Sequence, residues 1–350
     1  MAIIDDPTAY FQCTLYVGDG GGTRAVTNDG NSDLSPNWVW IKDRGTTSTH
    51  YIFDSVRGVQ KHLTSAATTQ ELTDANSLKS FNSDGFTLGT SGNVNGNSRS
   101  FVSWNWKANG SGSLNEVGSI DSTVSANTTS GFSIATYTGT GSGATVGHGL
   151  GTTPAWVLVK ERGASGESWN NFHQNLGAGI TIMLNLTNAQ QSSSTMWNNT
   201  APTSSVFSVG ADAGSNGSSK TYVAYCFAEK QGYSKFGSYT GNGNADGTFV
   251  YTGFKPAYVM VKKTSGTENW YIFDNKRSDF NLSDDALKAN TNSAELADWG
   301  VGFDFLSNGF KARATDGAIN ASGGSYIYMA FAENPFVTST ANGSIPATAR

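Results

Sequence analysis

The sequence predicts an all-β chain made of three tandem, diverged β-sandwich modules of the jelly-roll or lectin-like kind. A chain of 350 residues is too long for one ordinary core and suits two or three. Only 14% of the residues are charged, yet 19 Phe, 13 Tyr and 9 Trp supply the apolar area a fold needs, and 42 Gly punctuate short aromatic and β-branched runs. Above all, one succession of strand-like segments occurs three times.

Each copy opens on an aromatic and a Gly-rich turn: Tyr16-Val17-Gly18-Asp19-Gly20, Tyr137-Thr138-Gly139-Thr140-Gly141 and Tyr239-Thr240-Gly241-Asn242-Gly243. A strand beginning at proline follows. It reads Pro36-Asn37-Trp38-Val39-Trp40-Ile41-Lys42, then Pro154-Ala155-Trp156-Val157-Leu158-Val159-Lys160, then Pro256-Ala257-Tyr258-Val259-Met260-Val261-Lys262. Proline suits the first residue of a strand, where its missing N–H costs least. The unbroken apolar run predicts a central strand covered on both faces, and the final lysine is expected to hold its ammonium in water.

Next come Tyr51-Ile52-Phe53-Asp54-x-x-Arg57 and Tyr271-Ile272-Phe273-Asp274-x-x-Arg277, with a weaker Trp169-Asn170-Asn171-Phe172-His173 between them. Strand periodicity alternates Tyr51 and Phe53 with Ile52, and Tyr271 and Phe273 with Ile272, and points both phenylalanines inward. Asp84-Gly85-Phe86 and Asn308-Gly309-Phe310 are hairpin signals, replaced in the middle copy by Val206-Phe207-Ser208-Val209. The closing strands are Phe101-Val102-Ser103-Trp104-Asn105-Trp106, Tyr222-Val223-Ala224-Tyr225-Cys226-Phe227 and Tyr326-Ile327-Tyr328-Met329-Ala330-Phe331. Here Cys226 aligns with Asn105 and Ala330, a small-residue packing position. Short helices or turns are expected over 71–79 and 284–295.

The modules therefore span 1–112, 113–230 and 231–336, with a polar C-terminal arm over 337–350. Residues 107–130, rich in Gly, Ser, Asn and Thr, read as the first linker, and Lys230-Gln231-Gly232 as the second joint. The formal net charge of −5 disfavours a nucleic-acid partner. No apolar run is long enough to span a membrane, and the N-terminus does not read as a signal peptide. Synthesis in a reducing cytosol follows. Cys13 and Cys226 are expected as free thiols, each in the core of its own module.

Taken together, the Pro-x-aromatic-Val-x-x-Lys, Tyr-Ile-Phe-Asp-x-x-Arg, Asn-Ser-Asp-Gly-Phe and Tyr-Ile-Tyr-Met-Ala-Phe-Ala-Glu motifs resemble virion proteins of tailed phages infecting marine bacteria and cyanobacteria. Those proteins carry a domain of unassigned function and are commonly labelled tail fibre or minor structural protein. The resemblance covers essentially the whole chain and implies a place on the virion, among other virion proteins, with no catalytic motif to carry over. The chain has no coiled-coil stalk or collagen-like run, which leaves room for capsid decoration beside the fibre role. A homotrimer is expected from that role, and host surface glycan is the expected external partner.

Candidate sites are few. The Asp54/Arg57 and Asp274/Arg277 pairs read as structural ion pairs recurring with the module, the alternative being a ligand carboxylate or sugar. Glu161, Glu167, Asp54 and Asp274 are the carboxylates a polysaccharide-degrading tailspike would use, but no flanking motif supports that reading. The four histidines, His50, His62, His148 and His173, lack zinc-ligand spacing, and His148 reads as an exposed loop residue. The oxygen-rich Asn28–Asp33 loop reads as a solvated turn, calcium being the alternative. No metal or cofactor is expected, and no enzyme activity. Most tryptophans occupy repeated strand positions and belong in cores. Trp197 and Trp299 lie in loop-like contexts and are the candidates for stacking on sugar.

Overall fold

The computed structural model describes residues 3–338. The arm expected over 337–350 lies outside these residues from position 339 onward. Strands β1 (Phe11–Val17), β2 (Arg24–Val26), β3 (Trp38–Asp43), β4 (Tyr51–Asp54), β5 (Lys61–His62), β6 (Leu72–Thr73), β7 (Leu78–Phe81), β8 (Phe86–Leu88) and β9 (Ser100–Trp106) form the first copy. A one-turn helix, α1 (Gly92–Asn95), precedes β9. The second copy has β10 (Ser113–Asn115), β11 (Ser122–Asn127), β12 (Phe132–Thr138), β13 (Ala144–Gly147), β14 (Trp156–Glu161), β15 (Asn170–His173), β16 (Ile180–Met183), β17 (Gln191–Ser192), β18 (Val206–Val209), α2 (Ala213–Asn216) and β19 (Thr221–Phe227). The third has β20 (Ser234–Thr240), β21 (Phe249–Tyr251), β22 (Phe254–Lys263), β23 (Trp270–Asp274), β24 (Leu287–Lys288), β25 (Phe303–Leu306), β26 (Gly309–Ala312) and β27 (Ser325–Pro335).

One strand order recurs: opening, closing, proline, aromatic. It is β1-β9-β3-β4 in the first copy, β12-β19-β14-β15 in the second and β20-β27-β22-β23 in the third, every pair antiparallel. A small second sheet accompanies each: β2-β8-β7, β13-β18 and β21-β26-β25. The proline strand is central in all three. Cys226 pairs with Val157, as Asn105 does with Val39 and Ala330 with Val259, so the three occupy one register position.

Each large sheet is buried on both faces, for two different reasons. One face packs on its own small sheet: Val39, Ile41, Tyr51 and Phe53 in the first copy, Val157, Val159 and Phe172 in the second, Val259, Val261, Tyr271 and Phe273 in the third. The other face joins one core shared by all three copies, with Trp38, Trp40, Ile52 and Trp104 meeting Trp156, Tyr225, Trp270 and Met329. Ring contacts cross the copies, as between Trp38 and Tyr225 at 4.7 Å, Phe11 and Phe331 at 5.1 Å, and Trp156 and Trp270 at 5.9 Å. The aromatic strand alternates as expected, with Phe53 and Phe273 inside the sandwiches and Ile52 and Ile272 in the shared core.

Several expectations are corrected. Cys13 lies in the shared core, not in a core private to its copy, because the odd-numbered residues of β1 turn toward the other copies. Cys226 does sit inside its own sandwich, and both thiols are free. The expected linker over 107–130 contains β10 and β11, which extend the large sheet of the second copy. Of the short helices or turns expected over 71–79 and 284–295, the structure forms turns at 75–76 and 289–290 and no helix. Both stretches hold short strands at sheet edges, where pairing with β5 and β23 satisfies the backbone better than an isolated turn of helix.

Candidate functional site

The repeated polar residues converge on three seams, where each copy meets the next. In the first seam Asp54 and Arg57 are an ion pair with fully buried side chains. Tyr225 of the second copy donates to Asp54 Oδ2 at 2.7 Å, and Arg57 also reaches Glu71 at 3.2 Å, which in turn holds Arg162 of the second copy at 3.3 Å. Between the third and first copies the set recurs. Arg277 pairs with Asp274 at 2.6 Å and with Glu295 at 3.1 Å, Trp104 Nε1 donates to Asp274 Oδ2 at 3.0 Å, and Arg44 pairs with Glu295 at 2.7 Å.

Main-chain bonds mark all three seams identically. Glu71 N donates to Arg162 O at 2.9 Å, Gln190 N to Thr264 O at 3.1 Å, and Glu295 N to Arg44 O at 2.8 Å. The copies are thus joined first to second, second to third and third to first, a closed ring within one chain. These bonds place Gln190 at the position of Glu71 and Glu295, and Thr264 at that of Arg162 and Arg44. The register adds His173 for the aspartates, Leu176 for the arginines, and Met329 for Tyr225 and Trp104. The five-residue charged set of two seams is therefore replaced in the third by His173, Leu176, Gln190, Thr264 and Met329 together. This is the pattern buried charge demands, since removing one partner strands the others in a low-dielectric interior.

A ring nitrogen recurs at each seam as well. Trp169 Nε1 donates to Thr64 O at 2.7 Å and Trp270 Nε1 to Met183 O at 2.9 Å, while His50 Nε2 lies 3.1 Å from Lys288 O. Trp40 Nε1 donates to His50 Nδ1 at 2.8 Å, so the His50 proton sits on Nε2 and the ring is neutral. Burial lowers the pKa of His50 to about 3 and that of His173 to about 3. Burial also works against the Arg277 charge and would raise Asp274. The pair's mutual attraction outweighs it, leaving the Asp274 pKa lowered and the Arg277 pKa raised.

The lysines that end the proline strands are not in water. Lys42, Lys160 and Lys262 are fully buried, because strand alternation puts them on the shared-core side with Trp38 and Trp40. Their ammonium groups donate to carbonyls, Lys160 to Glu161 O and Thr68 O, Lys262 to Thr187 O, Lys263 O and Glu268 O, and burial lowers each pKa to about 8.

Sequence reading missed one repeated residue. Asn95, Asn216 and Asn320 are fully buried under the opening Gly turns. Asn216 Nδ2 donates to Ser142 O and Gly210 O while its Oδ1 accepts from Thr140 N, and Asn95 and Asn320 repeat the arrangement. Gly20, Gly141 and Gly243 turn there with φ of 67°, 78° and 70°. The available signal was an Asn six residues before the first aromatic of each closing strand.

Little of the expected surface chemistry is at the surface. Trp197 is buried at 1% exposure, its loop rolled under the second sandwich and turned by Asn198 and Asn199 with φ of 51° and 47°. It presents no face to a sugar. Trp299 alone of the nine tryptophans is not buried, and it stacks on Tyr271 at 5.0 Å. Beside it, carboxylate oxygens of Asp284, Asp285 and Asp298 lie within 4.8 Å of one another. His148 is buried rather than exposed, its loop pinned by Leu150 N to Nδ1 at 3.2 Å and by Thr203 O. Glu161 is buried with Oε1 accepting from Ala164 N, Glu167 pairs with Lys220 at 3.3 Å, and Asp54 and Asp274 stand in different seams, so these four do not assemble into one site. In the Asn28–Asp33 loop, Asn28 Oδ1 accepts from Thr14 and Asn105, Ser32 O from Gln12, and Asp29 pairs with Lys276 at 2.8 Å. The oxygens of Asn28, Asp29 and Ser32 thus serve protein donors.

The profile of a family described as a domain of unknown function, DUF7483, matches residues 6–335, and the chain belongs to that family. No curated protein matches the chain.

Proposed function

We propose that this member of the DUF7483 family is a non-enzymatic structural protein on the outside of a tailed-phage virion, a tail-fibre or adhesin subunit that contacts host surface glycan. The observation that carries the contact is Trp299. One half-buried indole, held by stacking on Tyr271, lies next to Asp298 and its two carboxylate neighbours. A fixed ring face beside hydrogen-bonding carboxylates is the chemistry that recognises a pyranose. The virion setting rests on the resemblance of the repeated motifs. The Gly-, Ser-, Thr- and Asn-rich loops support contact with sugars or neighbouring subunits, and a homotrimer suits the role.

Capsid decoration is the second reading. The closed ring of seams favours it, since a body locked by buried ion pairs suits clamping a shell. Phage particles carrying Trp299→Ala separate the two. Loss of host attachment with intact particles is the expected result. Retained attachment, with shells losing heat stability when the protein is deleted, would select decoration. Steady release of reducing sugar from host polysaccharide by the purified chain would overturn both.

A further inference from the structure

The open side of each sandwich is handled in a different way in each copy. In the second copy the edge of the large sheet at β12 is covered by β11, with Ile134 opposite Ser125 and Thr136 opposite Thr123. The same stretch also reaches the small sheet, where Ser119 N and Ile120 N both donate to Thr145 O of β13 at 3.0 Å. An extended, mostly uncharged segment therefore reaches from one sheet edge to the other. In the third copy side chains cap the corresponding edge of β20. Glu229 Oε1 accepts from Phe236 N at 3.1 Å, Gln174 Nε2 donates to Phe236 O at 2.7 Å, and Thr248 Oγ1 donates to Thr240 O at 2.7 Å.

The first copy has neither device. Lys107 N donates to Tyr10 O at 3.0 Å and Gly18 N to Arg99 O at 2.8 Å, so the even-numbered residues of β1 turn their backbone groups to β9. The odd-numbered residues Cys13, Leu15 and Val17 turn theirs outward, and nothing among the described residues pairs with them. These residues match Ile134, Thr136 and Thr138, the row that faces β11 in the second copy. A cavity of about 580 Å³ runs along this edge, walled by Leu15 and Val17 of β1, by Arg24, Ala25 and Val26 of β2, and by Thr27. At the matching place in the second copy a cavity of about 530 Å³ remains, walled by Ile120, Asp121, Ser122 and Thr123 of the covering segment and by Thr136 and Thr138, so the segment there takes up the backbone edge and not the cavity. Leu15 and Val17 are exposed at 37% and 54%, without the charge or proline that blunts edge strands.

We propose that the outer edge of β1 is a strand-acceptor site. It takes an extended, mostly uncharged, Ser/Thr- and β-branched-rich segment of a partner polypeptide, antiparallel to β1 and wedged between β1 and β2. The occupant's chemistry is read from β11, the segment this chain itself places in the equivalent space. Backbone pairing supplies the affinity, and one face of the docked segment borders the cavity between β1 and β2.

The test uses the full chain and a synthetic peptide with this chain's own 118–127 sequence as probe, followed by amide hydrogen exchange at single residues. Saturating peptide is expected to slow exchange at Leu15 and Val17, the exposed outward positions, by about tenfold or more, leaving Thr14 and Tyr16, already bonded to β9, unchanged. Leu15→Pro removes only an outward N–H and should abolish the effect. Val17→Lys keeps every backbone donor but places a charge on the edge, and should weaken binding even if the proline variant folds poorly. Unchanged exchange at Leu15 and Val17 with peptide in excess would overturn the proposal. So would slowing that needs no peptide and rises with protein concentration alongside dimer formation, which would assign the edge to a second copy of the chain.

Discussion

The indole of Trp104 donates to the Asp274 carboxylate at 3.0 Å across 170 residues of sequence, and Arg277, the ion-pair partner of Asp274, lies over the same indole at 5.8 Å. One tryptophan of the first copy thus serves both halves of an ion pair in the third, in a place with no solvent to substitute for it. Trp104→Phe should keep the ring and lose one donor to a buried carboxylate, at about 1–3 kcal/mol. Asp274→Ala should cost more, about 3–5 kcal/mol, by leaving Arg277 buried and short of its main partner. Denaturant midpoints for the two variants check the order. A smaller loss for Asp274→Ala would contradict it.

The neutral seam supplies a second test. Transplanting it whole, as Asp54→His, Arg57→Leu, Glu71→Gln, Arg162→Thr and Tyr225→Met, should destabilise the first seam less than Asp54→Ala alone, because no charge is stranded. The single variants should then sum to far more than the five together, an interaction energy well beyond about 3 kcal/mol. Additive losses would show that the set does not act as a unit.

Acid should loosen the ring through its histidines. His50 and His173 have folded pKa values lowered to about 3, against about 6.5 unfolded, so between these values the unfolded chain binds more protons. Their neutral-state stability is intact above pH 6.5 and is lost as pH falls toward 3, at up to about 1.4 kcal/mol per pH unit for each ring. The lysines act at the other end. With pKa lowered to about 8, Lys42, Lys160 and Lys262 cost stability below pH 8, and that cost is relieved as pH rises toward about 10.4. Urea titrations at pH 7, 5 and 4 should show the acid slope, and His173→Asn should reduce it.

Asn216→Ala should cost about 1–3 kcal/mol, since the side chain satisfies Thr140 N, Ser142 O and Gly210 O from a fully buried position. The loss should appear as faster amide exchange at Thr140 and Gly141, in the turn the asparagine holds. A stability change without local exchange at the turn would mean the residue acts elsewhere.

Trp197 and Trp299 should behave oppositely. Trp197→Ala empties a buried site and should cost about 3–5 kcal/mol. Trp299→Ala removes a half-buried ring over Tyr271 and should leave the melting temperature nearly unchanged while lowering retention on host glycan. Equal destabilisation by both would remove Trp299 as a contact residue.

The sequence shows the opening, proline, aromatic and closing strands and their threefold recurrence, because these rest on local signals: proline at a strand start, glycine in a positive-φ turn, alternation along Tyr51–Asp54; it does not show their order in the sheet, nor the short strands β6, β10, β11 and β24. It also determined that the proline strands are covered on both faces. What covers them depends on how the whole chain closes. Apolar burial is non-directional, so a strand such as Trp38–Asp43 declares that each face must leave water without saying that one meets β2, β7 and β8 while the other meets Tyr225 and Phe132 of the next copy. For the same reason Lys42 read as a solvated strand end, Trp197 as a loop platform and His148 as an exposed apex, when closure of the ring and the loops buried all three. The Asp-x-x-Arg motif was legible as an ion pair. Its role in joining copies was not, because Trp104 and Tyr225 come to those aspartates only when the chain closes on itself.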